Sequence, residues 1–188
     1  MLLYLHGFRS IGLCYKGSLI AKFSPNALTP NLPYVPSLAM NLAQSLIEKH
    51  QKNHKICLIG SSLGGYYATF LAEKYHLKAV LVNPVVDAYK TLLPAIGKVD
   101  VSYNGESFLW TLDLVESLKQ YFVDLISPEL YCVLLQKGDR VLDYRIAEQK
   151  FRDSKLVIQE GGSHHFDDFI KQKELILQWE KQCFIYTQ

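Results

Sequence analysis

Residues 55–67 read Lys55-Ile56-Cys57-Leu58-Ile59-Gly60-Ser61-Ser62-Leu63-Gly64-Gly65-Tyr66-Tyr67. The first five form an almost unbroken apolar, β-favouring run. Beyond the glycines the spacing of Tyr67, Phe70, Leu71 and Lys74 predicts a helix over 63–75. Between them lies G-x-S-x-G, centred on Ser62. A serine on so sharp a strand-to-helix turn must take a strained backbone for its hydroxyl to stand clear of the sheet. Small residues two before and two after let neighbouring chains approach. A random chain of this length shows the pattern roughly once in twenty. Two other readings of the motif remain: a plain Gly/Ser turn, or an anion cradle at a helix N-terminus.

The rest of the chain repeats this alternation. Apolar runs at 2–5, 78–82, 130–135 and 155–158 are further strand candidates, with 27–29 a shorter one. Helix-period segments at 37–52, 143–151 and 167–182 fall between or after them, the first with Leu38, Leu42, Leu46 and Ile47 as its apolar stripe. Continuous rather than alternating apolar strands suit a sheet covered on both faces. Strands alternating with helices predict an α/β fold: a mostly parallel sheet of about six strands with helices on both faces. The stretch 87–127 breaks the rhythm. It carries Pro94, Gly97, Gly105 and two expected helices, and reads as a lid-like insertion over the sheet edge. No repeat or linker divides the chain, so residues 1–188 read as one domain.

Composition narrows the function classes. The 188 residues are 49% hydrophobic and 20% charged, with a formal net charge of +2. That is ordinary globular composition, and the balance gives no reason to expect a nucleic-acid partner. No apolar run is long enough for stable membrane insertion. The opening Met1-Leu2-Leu3-Tyr4-Leu5 lacks a basic flank and is cut short by His6-Gly7, unlike a signal peptide. Cys14, Cys57, Cys132 and Cys183 form no CxxC pair, and Cys57 and Cys132 lie in apolar runs, which fits reduced thiols and an intracellular setting. Gly12 to Ser18 lacks the P-loop lysine, and there is no GxGxxG.

A nucleophilic Ser62 needs a base, an acid to orient it, and donors for the oxyanion. His164 and His165, in Gly161-Gly162-Ser163-His164-His165-Phe166 after the last strand candidate, compete as base. His164 is favoured, because it follows the glycine pair by two and Phe166 can pack beneath the loop. A metal reading of His164, His165, Asp167 and Asp168 has no matching ligand set elsewhere. His50 and His54 read as solvent-facing. Asp139 and Asp143, in Gly138-Asp139-Arg140-Val141-Leu142-Asp143, are the acid candidates. Asp143 suits an N-cap, which leaves Asp139 free to face His164. The oxyanion donors are expected to be the N–H groups of Leu63 and Phe8. Gly7 would let the backbone come close to substrate. His6 is either a substrate neighbour or a cap on the strand end, and Arg9 reads as a surface salt-bridge partner.

These residues together resemble the α/β-hydrolase superfamily and, more closely, the small bacterial YqiA-like esterase family. The resemblance is carried by Leu3-Tyr4-Leu5-His6-Gly7-Phe8, Gly60 to Gly65, Asn83-Pro84, Gly138 to Tyr144 and Glu160 to Phe166, which span nearly the whole chain. It implies a compact hydrolase without the first two strands of larger members. It also implies a Ser62, Asp139, His164 triad, esterase or thioesterase activity on small acyl substrates, and a cytoplasmic bacterial protein.

On this reading Ser62 attacks an ester or thioester carbonyl, His164 shuttles the proton, and water cleaves the acyl-enzyme, with no metal or organic cofactor required. The first strand and the 55–59 strand should lie side by side near the sheet centre, where chain direction reverses and ligands bind. Tyr89, Tyr103, Phe108, Leu109, Trp110 and Tyr121 of the insertion are expected either to wall the pocket or to pack as core. A histidine base predicts activity rising through about pH 6–7. Two rivals are an acyltransferase or perhydrolase on the same triad, and a catalytically silent hydrolase fold that binds a small ligand or partner.

Overall fold

A computed structural model describes residues 1–182; Cys183 lies outside them. The strands are β1 (Leu2–Leu5), β2 (Cys57–Ser61), β3 (Lys78–Val82), β4 (Val99–Val101), β5 (Ser107–Leu109), β6 (Tyr131–Gln136) and β7 (Lys155–Gln159). The helices are α1 (Tyr15–Phe23), α2 (Pro36–His50), α3 (Leu63–Tyr75), α4 (Ala88–Thr91), α5 (Leu112–Ser117), α6 (Tyr144–Lys150) and α7 (Lys173–Gln182). Five strands form one parallel sheet in the order β1-β2-β3-β6-β7. The expected sixth strand at 27–29 contributes a single bridge, Leu28 to Leu3, on the outer side of β1.

The continuous apolar runs now have their cause. Alternate residues of each central strand enter two different cores. Leu3, Leu5, Leu58 and Leu81 face α2 and α3, whereas Leu2, Tyr4, Cys57 and Ile59 face α1 and α7. Both layers are apolar because both faces are covered. A fully buried side chain such as Ile20 on α1 is worth about 1.5–3 kcal/mol of transfer free energy. β7 is the opposite edge, and its exposed Lys155 suits an unpaired strand margin.

The chain reverses direction at β1. From β1 it crosses by α1 outward to Leu28, then returns by α2 to β2 on the other side. Right-handed crossovers in opposite senses put their helices on opposite faces, which is why α1 and α2 are separated by the sheet. β1 and β2 are neighbours as expected, with Leu5 opposite Gly60. Their place is not the sheet centre, however: β1 is the end strand of the five.

Two local expectations shift, and a third is extended. On α2 the buried stripe is Ala39, Met40, Ala43 and Ile47, while Leu38 is exposed. The 167–182 helix begins later, because Asp168 takes a left-handed φ of 57° and a short 3-10 turn, Phe169–Gln172, precedes α7. The 87–127 stretch holds two short helices, α4 and α5, as expected, and adds the antiparallel hairpin β4–β5 between them. It packs on α2 through α5 and on α3 through the 118–121 turn, with Trp110, Val115 and Leu118 in the core. No helix among the described residues is long and apolar enough to cross a membrane.

Candidate active site

Ser62 sits between β2 and α3 with φ 55° and ψ −121°. Such a conformation costs a non-glycine residue about 1–3 kcal/mol, so the surroundings must over-determine it. They do. Ser62 N–H donates to Val82 O at 3.1 Å, and Ser62 O accepts from Gly65 N at 2.9 Å and Val85 N at 3.1 Å. A Cβ at Gly64 would overlap the carbonyls of Leu5 and His6, so only glycine lets α3 start this close to β1. Gly7 lies against Ser62 in the same way: an added Cβ there would stand 3.0 Å from Ser62 Cβ.

His164 completes the centre from the loop after β7. Its Nδ1–H donates to Asp139 Oδ2 at 2.7 Å, and its Nε2 accepts from the Ser62 hydroxyl at 3.0 Å. The Asp139 side chain is almost wholly buried, at 1% exposure, and its Oδ1 accepts from Val141 N and Leu142 N. Burial pushes the Asp139 carboxyl up, but the His164 hydrogen bond and the two backbone donors outweigh it and hold it below the usual value. The structure thus brings Ser62, His164 and Asp139 into one hydrogen-bonded chain. Asp143 takes the other expected part and caps α6 through Arg145 N. His165 is exposed and offers its carbonyl, not its ring, to the buried Lys16 Nζ at 2.8 Å. Phe166 packs beneath the loop against Phe169.

Two residues that sequence reasoning did not single out as functional hold the histidine loop. Gln136, at the end of β6, is 3% exposed. Its Oε1 accepts from Ser163 N at 3.0 Å and Asp167 N at 2.8 Å, and its Nε2 donates to Asp167 O and Gln159 Oε1, both at 2.9 Å. Asn83, at the end of β3, accepts from Gln136 N at 3.0 Å and donates to Ser163 O at 3.0 Å and His164 O at 3.3 Å. Asn83 stood, with Pro84, among the motifs that carry the resemblance, but with no role; the other signal in the sequence was a polar side chain closing an otherwise apolar strand, twice, at the end of the sheet where Ser62 stands.

The Phe8 and Leu63 N–H groups have no hydrogen-bond partner among the described residues, and both residues line one cleft. His6 borders that cleft too, but its ring is spent on structure. Leu32 N donates to Nε2 at 2.9 Å, which leaves Nδ1–H to donate to Gly7 O at 2.9 Å. Burial lowers its pKa despite the Gly7 contact, so it stays neutral. Both ring nitrogens thus serve the strand-end cap, which fixes Gly7, while His6 still lines the cleft. Arg9 pairs with Asp100 of β4 at 3.3 Å, as a salt-bridge partner.

The cleft is open to solvent, and the space between its walls and mouth, solvent included, is about 550 Å³. Of the insertion's aromatics, Phe108 and Trp110 wall it. Tyr121 is buried against Tyr67 and Phe70, Tyr89 packs on Phe122, and Tyr103 and Leu109 are exposed.

Comparison with solved structures finds the same fold. Alpha/beta hydrolase domain-containing protein 10 from mouse superposes with a TM-score of 0.74 at 11% identity, over 99% of this chain and 90% of that one. Est1E from Butyrivibrio proteoclasticus gives 0.74 at 11% identity, over 98% and 88%. A monoacylglycerol lipase from Paleococcus ferrophilus gives 0.68 at 15% identity, over 99% and 94%. Such identities establish the α/β-hydrolase fold and leave the chemistry to the site. Residues 1–181 match the model of the Uncharacterised protein family (UPF0227). The chain belongs to that family, the YqiA-like family its motifs resemble, and carries it on an α/β-hydrolase fold.

Proposed function

We propose that this chain is a serine hydrolase that cleaves carboxylic esters or thioesters through an acyl-enzyme, in one hydrolase domain. The observation that carries the reading is the continuous hydrogen-bond path from Asp139 through His164 to Ser62, at 2.7 and 3.0 Å, ending on a serine in a strained turn. Ser62 Oγ attacks the carbonyl carbon and its proton passes to His164 Nε2. Asp139 keeps the imidazole in the needed tautomer and stabilises the imidazolium. The N–H groups of Leu63 and Phe8 receive the oxyanion. As the tetrahedral intermediate collapses, Nε2 gives its proton to the leaving alcohol or thiol. His164 then deprotonates a water that attacks the acyl group on Ser62, releasing the acid. The buried thiols of Cys57 and Cys132 support a reducing, cytoplasmic setting.

Pre-steady-state hydrolysis of p-nitrophenyl butyrate tests this. The expected result is a burst of p-nitrophenol approaching one equivalent, absent from Ser62→Ala, with a butyryl adduct on the wild-type chain. Turnover by Ser62→Ala at the wild-type rate would refute it.

A further inference from the structure

We infer that the β4–β5 hairpin is the buttress of one oxyanion donor, and that Arg9 and Asp100 are positioning residues for the Phe8 N–H. This rests on the serine-hydrolase reading and goes on from it to how that site is held.

The two donors are supported unequally. The Leu63 N–H belongs to the elbow and the first turn of α3. The Phe8 N–H belongs to a turn outside any strand or helix. Ser10 N–H donates to Gly7 O at 3.3 Å, which closes a β-turn with Phe8 and Arg9 at its centre. Arg9 has φ 61° there, a left-handed conformation that turn chemistry ordinarily gives to glycine. Something beyond the turn must hold it.

The hairpin does so. Tyr103 N–H, just beyond β4, donates to Arg9 O at 2.9 Å. Arg9 Nε donates to Val101 O at 3.4 Å, and Nη1 pairs with Asp100 Oδ1 at 3.3 Å. Asp100 and Phe108 are partners across the two strands and so project from the same face. From that face Asp100 takes the Arg9 guanidinium, and the Phe108 ring meets the Phe8 ring edge-on, with centroids 5.8 Å apart. One cross-strand pair thus grips both central residues of the turn. An exposed ion pair adds little to stability. Its value here is geometric, since a displacement of about 1 Å from the productive arrangement can cost about 10²-fold in rate.

Variants at Arg9 and Asp100, read with p-nitrophenyl butyrate and with an alkyl trifluoromethyl ketone, test this. Ser62 Oγ adds to the ketone carbon, His164 Nε2 takes the serine proton, and the ketone oxygen becomes an anion facing the two N–H groups. A donor that acts in the transition state changes kcat, leaves KM nearly alone, and weakens the ketone by the same factor as kcat/KM. Losing a whole donor costs about 10²–10³-fold; loosening one through Arg9→Ala should lower kcat about tenfold and raise the ketone Ki about tenfold. The Arg9 side chain is 56% exposed, so its truncation should leave the fold intact. Asp100→Ala should cost about threefold by itself and nothing further beside Arg9→Ala, because both remove the same grip. A loss confined to KM or to melting temperature, or an Asp100→Ala effect that multiplies fully with that of Arg9→Ala, would overturn the inference. Wild type and Ser62→Ala in the same assays separate the failures. Wild type neither active nor inhibited sinks the hydrolase reading beneath. Wild type active and inhibited through Ser62, with Arg9→Ala matching it in kcat and Ki, sinks only this inference.

Discussion

The two loops that meet at the centre of this molecule are held in opposite ways. Ser62 is fixed by its own neighbourhood: β2 before it, α3 after it, and glycines that let both pack tightly. His164 has little local support. Gly161 and Gly162 on its approach have φ of 65° and 75°, and the loop belongs to no strand or helix. It is pinned by side chains from far away in sequence: Asn83, Gln136, Asp139 and Lys16. The nucleophile is built by a motif, and the base by a network. A motif fails all at once, whereas a network should fail by degrees.

The largest effect should come from the elbow. Ser62→Ala should lower kcat by at least about 10⁴-fold with the fold intact by circular dichroism, because the nucleophile itself is gone. Ser62→Gly should be as inactive yet melt higher than Ser62→Ala, since glycine adopts φ 55° without strain. Equal melting temperatures would show that the turn stores no strain.

Asp139→Asn should lower kcat by about 10²–10⁴-fold, because the carboxylate no longer fixes the imidazole tautomer. It should also change the acid limb of stability. The native Asp139 carboxyl lies below the ordinary 3.8, so its contribution is present above that value and fades as pH falls through the lower native pKa. The melting temperatures of wild type and variant should therefore converge as pH falls below the ordinary value of 3.8. A constant gap across that range would contradict the assignment.

Gln136→Leu probes the network without touching the triad. It strips partners from Ser163 N, Asp167 N and Asp167 O, each costing about 1–3 kcal/mol if left unpaired. A loss of about 10- to 100-fold in kcat, with KM nearly unchanged, is expected from a histidine that has lost its position. An unchanged kcat in a destabilised protein would make Gln136 purely structural. The smallest effect belongs to His165→Ala, within about twofold in kcat, because the exposed ring is not part of the path to Ser62. A loss as large as that of His164→Ala would exchange their roles.

The same contrast explains what could be read from the sequence. Ser62 was legible because strand, turn and helix chemistry are contiguous there. Asp139 and His164 were legible in order, each on a loop after its own strand. The roles of Gln136 and Asn83 were not, because their purpose exists only where β3, β6 and the histidine loop converge in space. The hairpin β4–β5 was missed because each strand is three residues long, too short to establish a period. The stripe on α2 slipped because small Ala39 and Ala43 are buried while larger Leu38 stays outside. His6 could be read two ways until the Leu32 N–H appeared opposite its ring, 26 residues away.

The most direct test of the account is intact-mass analysis after exposure to an alkyl fluorophosphonate, which reacts with a serine only when a base activates it. Wild type should gain the mass of one adduct, mapped to Ser62, with Ser62→Ala gaining none and Gln136→Leu labelling more slowly. No adduct on folded wild type, or one that persists in Ser62→Ala, would contradict the claim that Asp139, His164 and Ser62 form a working catalytic centre.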